Sequence, residues 1–347
     1  MRIAQVSSLV ESVPPRQYGG TERIASYLTE ELVRLGHEVT LFASGDSVTQ
    51  AELDAPWPRA LRSDGINEHL APHLLMLEKV LQRAADFDIV HFHTGYVHFP
   101  LCRRLATSHI TTHHGRLDIP ELLPFYREFE EVPVISISNN QRTALPWANW
   151  QGTVYNGVPE DLYRLQARPG TYLAFLGRIS PEKGLDHAIE IARRAGMELR
   201  IAAKVDAVDR EYFDTRIRPL LNDPQVQYTG EIDDDAKQAL LGDAYAVLFP
   251  IDWPEPFGLV MVEAMACGTP VIAYRRGSVP EIMQPGVTGF IVTNVDEAVA
   301  ALDNIGTLER HQCRRVFEEH FSVKRMAQDY LSVYERLQGN EQPRLAG

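Results

Sequence analysis

The chain has 347 residues, of which 44% are hydrophobic, and a formal net charge of −13 at pH 7. Its length allows two domains with separate cores, and its composition is that of an ordinary globular protein. Residues 1–165 carry 14 basic and 20 acidic side chains and the rest carry 20 and 27, so neither half offers the basic face that nucleic acid or an anionic membrane would need.

The first half alternates short apolar runs with longer amphipathic runs, which predicts a parallel α/β sheet. One helix begins at Thr21 and ends at Gly36, a residue suited to the turn after a helix. The other predicted elements are strands at 3–6, 39–43, 88–93, 108–112 and 133–138 and a helix at 71–84. No leader of signal-peptide type precedes the first strand, no apolar run is long enough to span a membrane, and the three cysteines are widely spaced. We therefore expect a cytoplasmic protein without a disulfide framework or a zinc site.

A segment with two prolines and little periodicity, 159–170, separates the halves. We predict an N-terminal domain of residues 1–165 and a C-terminal domain of residues 166–321. The second half repeats the alternation of strands and helices. Its predicted strands are 172–176, 198–203, 225–229 and 245–250, and its predicted helices are 184–195, 209–221, 234–242, 258–267, 296–303, 308–320 and 322–337.

The most informative segment is Glu255-Pro-Phe-Gly-Leu-Val-Met-Val-Glu263. It follows a predicted strand and opens a helix at Gly258, so the free amides of the first helical turn form an anion site. Glu255 precedes the helix and Glu263 lies about one and a half turns inside it, and carboxylates accept hydrogen bonds from hydroxyls. The segment predicts a ligand with phosphate in its centre and hydroxyl-bearing groups on both sides, as in a sugar nucleotide. The alternative is that Glu255 only caps the helix and Glu263 is a surface residue of the helix. The apolar neighbours of Glu263 disfavour this alternative.

A second segment, Gly177-Arg178-Ile-Ser-Pro-Glu-Lys183-Gly184, links a predicted strand to a predicted helix. It places two cations where an open α/β sheet binds its ligands. Arg178 can bind a phosphate through two nitrogens, and Lys183 acts as a point charge. We interpret both as ligands of a diphosphate leaving group, although two unrelated surface cations are the alternative. With a helix N-terminus they can replace a divalent ion, so we expect no metal and no other cofactor.

These two segments closely resemble the retaining GT-B glycosyltransferases of family 4 (GT4). The resemblance continues over most of the chain, in Gly19-Gly20-Thr-Glu, Asn156-Gly157-Val158 and Gly286-Val-Thr-Gly289-Phe. It implies an α/β protein of the GT-B class, with two Rossmann-like domains facing one another across a cleft. The second domain would bind the nucleotide sugar and the first the acceptor, and the last helix, 322–337, would cross back to the first domain.

The resemblance also implies roles for individual residues. Glu263 would hold the ribose, Glu255 the hydroxyls of the donor sugar, and His114 would contact that sugar near its reacting carbon. The other implied donor contacts are Gly19, Gly20, Gly177, Ile232, Phe257, Gly258, Leu259 and Val260. Lys204 is a candidate third cation at the diphosphate, and the candidate acceptor contacts are Tyr18, Glu22 and His93.

Several histidines and acids leave alternatives open. Adjacent histidines in a strand point to opposite sides, so His113 is the alternative to His114. His91 and His93 share one strand face and suit a metal pair, a place near the acceptor or packing, but the spacing provides no third ligand. Asp233-Asp-Asp235 favours a helix start over a metal motif. Trp253, beside Glu255, either stacks on a sugar or packs the turn.

The function predicted from these residues is transfer of a hexose from a nucleotide-diphosphate sugar, with UDP and glucose favoured, to a small hydroxyl-bearing acceptor. No carboxylate of the first domain stands out as a nucleophile, so by analogy with the family we expect front-face transfer with retention. Two alternatives remain. One is another GT-B enzyme, such as a sugar-nucleotide epimerase or a glycoside phosphorylase, and the other is a non-catalytic nucleotide-sugar-binding protein.

Overall fold

A computed structural model describes residues 1–17 and 19–339 and divides the chain into two compact units. The first unit contains residues 1–157 and the helix that begins at Val323, and the second contains Val158–Ser322. The predicted boundary after residue 165 therefore lies inside the second unit. The last helix belongs by its contacts to the first unit, although it follows the second in sequence.

The sheet of the first unit is parallel and has the strand order β3-β2-β1-β4-β5-β6-β7. Its strands are β1 (Arg2–Val6), β2 (Glu38–Ser44), β3 (Glu52–Trp57), β4 (Ile89–Phe92), β5 (His109–His113), β6 (Val134–Ser136) and β7 (Trp150–Thr153). The helices around it are α1 (Gly20–Arg34), α2 (Leu70–Arg83), α3 (Phe99–Cys102), α4 (Leu123–Glu128) and α5 (Asn139–Arg142). Strands β1 and β4 are buried almost throughout, because helices cover both faces of a parallel sheet.

The sheet of the second unit is also parallel, with the order β10-β9-β8-β11-β12-β13. Its strands are β8 (Tyr172–Arg178), β9 (Leu199–Lys204), β10 (Val226–Tyr228), β11 (Ala244–Phe249), β12 (Val271–Tyr274) and β13 (Gly289–Val292). Its helices are α6 (Leu185–Ala195), α7 (Arg210–Tyr212), α8 (Asp234–Gly242), α9 (Leu259–Ala266), α10 (Val279–Ile282), α11 (Val295–Ile305) and α12 (Arg310–His320), and α13 (Val323–Gly339) completes the first unit. No helix in the described part of the chain combines the length and the apolar character needed to cross a membrane.

The strand order reverses beside the first strand of each unit, between β1 and β4 and between β8 and β11. Open parallel sheets bind ligands beyond the carboxyl ends of the strands at such a switch point. Strand β8 ends at Arg178 and β11 ends at Phe249. Both predicted donor motifs therefore follow strands that flank the switch point of the second unit.

One predicted helix is wrong as a continuous element. Residues 207–222, which include the predicted helix 209–221, form a 3₁₀ turn, the three-residue α7, one turn of π-helix and a second 3₁₀ turn. Pro219 lies in the last of these and has no N–H with which to continue an α-helix. The sequence prediction also missed β3, β7, β12 and β13.

Candidate active site

Two helices of the second unit begin at left-handed glycines beside its switch point. Gly184 precedes α6 with φ 67°, and Gly258 precedes α9 with φ 81°. A Cβ on Gly184 would lie 2.1 Å from the carbonyl oxygen of Pro250, so only glycine fits there. Neither glycine offers a side-chain cap, whereas Asp233 and Asn294 cap α8 and α11. In the first turn of α6, however, the His187 amide donates to Asp186 Oδ1 at 3.1 Å. The uncapped amides and the positive ends of the helix dipoles form places for an anion.

Lys183 and Glu255, one from each donor motif, form an ion pair. Lys183 Nζ lies 2.6 Å from Glu255 Oε2, and the side chains are only 16% and 12% exposed. The indole Nε1 of Trp253 donates a hydrogen bond to the same carboxylate oxygen at 2.9 Å. The Lys183 ammonium also lies 5.4 Å from the centre of the Trp253 ring. Trp253 therefore orients Glu255 as well as packing the turn, a contact that the sequence did not indicate.

The loop that carries Glu255 is held by hydrogen bonds from neighbouring turns. The amide of Ser278 donates to the carbonyl oxygen of Glu255 at 2.9 Å, and Ser278 Oγ donates to that of Phe257 at 2.8 Å. The amide of Asp252 donates to the carbonyl oxygen of Glu182 at 2.8 Å, which joins this loop to the turn that carries Lys183. The two motifs are thus fixed with respect to each other by the backbone, as a preorganised site requires.

Phe249 connects the ion pair to the start of α9. Lys183 Nζ lies 6.0 Å from the centre of the Phe249 ring, and a Cβ on Gly258 would come within 3.2 Å of the same ring. Lys183, Glu255 and the amides that follow Gly258 therefore share one corner of the second unit. The structure brings together there the cation, the carboxylate and the helix start that the sequence predicted.

Arg178 lies among carboxylates. Its Nη2 is 2.5 Å from Glu182 Oε1, and its guanidinium is 3.4 Å from Asp209 and 3.7 Å from Asp206. Lys204, its register partner at the end of β9, pairs with Asp206 at 2.9 Å. Arg178 thus ends β8, which flanks the switch point, and Lys204 ends the neighbouring strand β9, but a diphosphate would compete with these acids for both cations.

Glu263 is buried, at 4% exposure, and is partnered by the protein itself. Its Oε1 accepts hydrogen bonds from the hydroxyl of Tyr163 at 3.1 Å and from Lys237 Nζ at 3.0 Å. A buried carboxylate needs such partners, since its desolvation is otherwise unfavourable. A ribose would therefore meet a carboxylate that Tyr163 and Lys237 already hold in place.

The remaining predicted donor contacts of the second unit lie at the end of β8, at the start of α9 and in the loop before α8. Among the described atoms, nothing lies within 4 Å of the place where a Cβ on Gly177 would stand. Leu259 and Val260 open α9 and are partly exposed, whereas Phe257 is buried. Ile232 is partly exposed in the loop between β10 and α8.

In the first unit, Gly19 and Gly20 lie at the start of α1. A Cβ on Gly19 would stand 2.8 Å from Pro15 and 3.3 Å from Glu22 Oε2, so the loop folds too tightly for a larger residue. Glu22 is buried, and burial raises the pKa of its carboxyl to about 7. Tyr18, the third predicted acceptor contact besides Glu22 and His93, lies outside the described residues.

The Glu22 carboxyl is expected to make stability depend on pH, and Glu22→Gln should remove this dependence. Its pKa of about 7 in the folded state exceeds the ordinary 4.5. Its contribution to the free energy of unfolding is therefore full below pH 4.5 and is lost as pH rises from 4.5 through 7. The difference in unfolding free energy, wild type minus variant, should fall by about 1 kcal/mol per pH unit in that range. Urea unfolding of both proteins measures it, and a difference that is flat with pH would contradict it. Taking the difference cancels the opposite contribution of the buried histidines.

His113 and His114 point to opposite sides of the sheet, as expected for neighbours in an extended chain. His113 is buried, and its ring lies 5.5 Å from that of Tyr126 and 6.1 Å from that of Phe99. His114 is partly exposed, and its Nε2 lies 2.8 Å from His93 Nδ1. Burial lowers the pKa of His113 to about 4 and that of His114 to about 3, so both rings are uncharged at neutral pH. The alternative residue, His113, thus belongs to an aromatic core, and His114 reaches the surface.

His93 was predicted to contact the acceptor, but it is buried with both ring nitrogens in hydrogen bonds, to Gln5 and to His114. It reaches the surface only through His114. His91 also uses both ring nitrogens, in bonds to the hydroxyl groups of Tyr334 and Thr112.

In residues 1–17 and 19–339, no group of three His, Cys, Asp or Glu side chains is placed to hold a metal ion. The prediction that Asp233 starts a helix is confirmed, since its Oδ1 accepts from the Ala236 amide at 2.9 Å.

Two family models match the chain on either side of the unit boundary. The model for glycosyltransferase family 4 covers residues 18–150, and that for glycosyl transferases group 1 covers residues 166–319. The chain belongs to the GT-B glycosyltransferases of family 4. Both groups of predicted site residues and the whole sheet of the second unit fall within the matched ranges.

Individual proteins agree with this assignment. The family 4 glycosyltransferase described here is 27% identical to the N-acetyl-alpha-D-glucosaminyl L-malate synthase of Bacillus anthracis, over 91% of this chain and 93% of that protein. It is similar to AviGT4, a glycosyltransferase involved in avilamycin A biosynthesis, with a TM-score of 0.76, 26% identity and 98% of each chain covered. Alr3699/HepE of Anabaena, solved in complex with UDP and glucose, gives a TM-score of 0.75 at 21% identity, covering 97% of this chain and 100% of that one. The predicted GT-B fold is therefore confirmed.

The glycosyltransferase also contains residues around its candidate site that sequence reasoning missed. Tyr163 and Lys237 hold Glu263, and no sequence signal pointed to either residue. Gln5 bonds to His93, and here a signal was available. A polar side chain in the middle of the buried strand β1 requires a partner, so its position alone suggests a hydrogen-bond network.

Proposed function

We propose that this glycosyltransferase transfers a hexose from a UDP-sugar to a hydroxyl group of a small acceptor, with retention of configuration at the anomeric carbon and without a metal ion. The observation that carries the proposal is the Lys183–Glu255 pair beside the start of α9. A cation and helix amides suit a diphosphate, and a carboxylate suits the hydroxyls of the attached sugar.

The ion pair suggests how the site changes when a donor binds. The phosphates attract Lys183, and Glu255 then keeps its bond from the Trp253 indole while its freed acceptor positions take sugar hydroxyls. Lys183 and the α9 amides stabilise the negative charge that grows on the leaving diphosphate. This charge stabilisation is the task that a divalent ion performs in other enzymes, and it supports the proposal of a metal-independent reaction.

In the proposed step the bond between the anomeric carbon and the diphosphate oxygen breaks, and the acceptor oxygen bonds to the same face of that carbon. The acceptor proton passes to an oxygen of the leaving diphosphate. A histidine with a pKa of about 3, such as His114, is too weak a base to take this proton at neutral pH. The low basicity of His114 therefore supports the leaving group as the base.

A donor panel tests the proposal. UDP-, GDP- and ADP-hexoses are compared by thermal shift, and UDP-hexoses come first because a solved structure of similar fold holds UDP and glucose. We expect a UDP-hexose to give the largest rise in Tm, which binding to the folded state produces. The binding donor is then incubated with an acceptor library in the presence of EDTA, and the configuration of the product is read by proton NMR.

Three outcomes would overturn the proposal. Conversion of the donor without an acceptor would indicate an epimerase, and dependence on inorganic phosphate would indicate a phosphorylase. Binding without any turnover or hydrolysis of the donor would indicate a non-catalytic binding protein. An inverted product or loss of activity in EDTA would contradict the retaining or the metal-independent part separately.

A further inference from the structure

A chain of hydrogen bonds runs through the first unit from α13 to His114. Gln5 Nε2, on β1, donates to the hydroxyl of Tyr334 on α13 at 3.2 Å, and Gln5 Oε1 lies 2.8 Å from His93 Nε2. His93 Nδ1 in turn lies 2.8 Å from His114 Nε2. Gln5, His93 and Tyr334 are all buried. The chain therefore joins four side chains of four segments, and three of them are shielded from bulk water.

The order of donors and acceptors leaves each ring one protonation pattern. Because the Gln5 amide nitrogen faces Tyr334, its oxygen faces His93 and accepts a proton from His93 Nε2. Burial lowers the pKa of His93 well below its ordinary value, so the ring is neutral and its Nδ1 carries no proton. That nitrogen can only accept, and His114 Nε2 must donate to it.

His114 ends the chain at the surface. It follows β5 at the carboxyl edge of a parallel sheet, where such sheets bind ligands. Its Nδ1 has no hydrogen-bond partner among the described residues. This nitrogen is not one of the buried polar atoms that lack a partner, so it is open to a ligand. In a neutral ring protonated at Nε2, this Nδ1 is a hydrogen-bond acceptor. It can accept from a hydroxyl group, but it offers neither a proton nor a positive charge to a phosphate.

We infer that Gln5, His93 and Tyr334 are positioning residues that hold His114 as its Nε2–H tautomer, so that Nδ1 accepts a hydrogen bond from a sugar hydroxyl. The inference rests on the proposed function, since it takes a sugar as the ligand of His114. It assigns α13, the last helix of the first unit, a part in the site through Tyr334.

Tyr330 provides a matched control on the same helix. It is as fully buried as Tyr334, and its hydroxyl bonds to Thr112 at 3.0 Å rather than to Gln5, so it is connected to Tyr334 only indirectly, through Thr112 and His91. Tyr330→Phe and Tyr334→Phe therefore remove the same group from equally buried positions one turn apart. Tyr334→Phe removes the hydroxyl that Gln5 contacts directly, together with the bond of that hydroxyl to His91 Nδ1 at 2.7 Å. Only this variant therefore lets the Gln5 amide turn around and reverse the bonds to His93 and His114.

The tautomer of His114 is measured directly by 15N NMR of histidine-labelled protein, with its signals assigned from their loss in His114→Ala. We expect an unprotonated Nδ1 in wild type and in Tyr330→Phe, and a mixture of tautomers in Tyr334→Phe. Gln5→Met, which removes the amide but keeps the length of the side chain, should give the same mixture. A single unchanged tautomer in both variants, or a protonated Nδ1 in wild type, would overturn the inference. This measurement needs no activity, so it decides the inference even if the donor panel fails.

Kinetics separate positioning from general damage to the fold. Tyr334→Phe is expected to lower kcat about tenfold, the effect of losing one well-placed hydrogen bond in the transition state, with the donor KM within about twofold. In a His114→Ala background the same change should cause no further loss, because its effect passes through His114. Equal losses in both backgrounds, or an equal loss in Tyr330→Phe, would show a structural role and overturn the inference.

Discussion

Replacing Lys183 by Ala is expected to lower kcat/KM for the donor sugar by about 10²- to 10³-fold, the usual effect of removing one group that stabilises transition-state charge. The change removes the cation proposed to bind the diphosphate. It also leaves Glu255, which is only 12% exposed, with a negative charge that no longer has its ammonium partner at 2.6 Å. The remaining carboxylate repels the diphosphate, so donor KM should rise while kcat falls. Initial rates over a range of donor concentrations measure both changes.

Arg194→Ala is the matched control for Lys183→Ala. Arg194 pairs with Asp296 at 2.6 Å in the same unit, but these side chains are 41% and 81% exposed. An exposed ion pair contributes little to stability, and Arg194 lies outside the corner formed by Lys183 and Glu255. We expect Arg194→Ala to keep the wild-type kcat/KM. Urea denaturation checks that Lys183→Ala is folded. If the folded variant also kept the wild-type kcat/KM, the proposed role of Lys183 in binding the diphosphate would be wrong.

The central strands of both sheets could be predicted from sequence because both of their faces are buried. Strands β1, β4 and β11 are buried almost throughout, and β8 is buried over its first four residues, so they appear as apolar runs. Edge strands carry less of this pattern. Strand β3 is mostly polar or partly exposed and contains Pro56, so its composition does not indicate a strand. It becomes one because its backbone pairs with the edge of β2. Strand β12 is fully buried but has four residues, too few to separate a strand from a short helix by periodicity.

The placement of the donor motifs was also predictable, since it depends on the backbone. Lys183 and Glu255 both follow strands at the switch point of a parallel sheet, and the Gly184 and Gly258 turns bring the helix starts to the same edge. The strand order alone therefore places two separate sequence motifs at the same corner, and side-chain packing need not be known to predict this.

The side-chain partners at this corner could not be predicted in the same way. Tyr163 lies 100 positions before Glu263, and the bond between them exists only because α9 packs against the start of the second unit. Trp253 is two positions from Glu255, but its bond depends on the orientation of the indole ring. Such contacts depend on rotamers and long-range packing, which local patterns do not specify.

Glu255→Gln is expected to lower kcat by about 10²- to 10³-fold without weakening UDP binding. The carboxylate is proposed to hold sugar hydroxyls, and an amide replaces part of its accepting capacity with donors. At the same time the variant removes the charge that holds Lys183 at 2.6 Å in the free protein. Lys183 is then more readily available to a diphosphate, so UDP should bind at least as tightly as in wild type. Calorimetry with UDP and steady-state kinetics with the UDP-sugar measure the two quantities separately.

Trp253→Phe isolates the orienting part of this effect. It keeps an aromatic ring beside Lys183 but removes the Nε1–H that donates to Glu255 at 2.9 Å. A hydrogen bond to a charged group contributes about 1.5 kcal/mol or more, so kcat should fall about tenfold with UDP affinity unchanged. The combination of Glu255→Gln and Trp253→Phe should be no worse than Glu255→Gln alone, because the indole acts through the carboxylate. Loss of UDP affinity in Glu255→Gln, with kcat retained, would instead assign Glu255 to the nucleotide and remove it from the sugar.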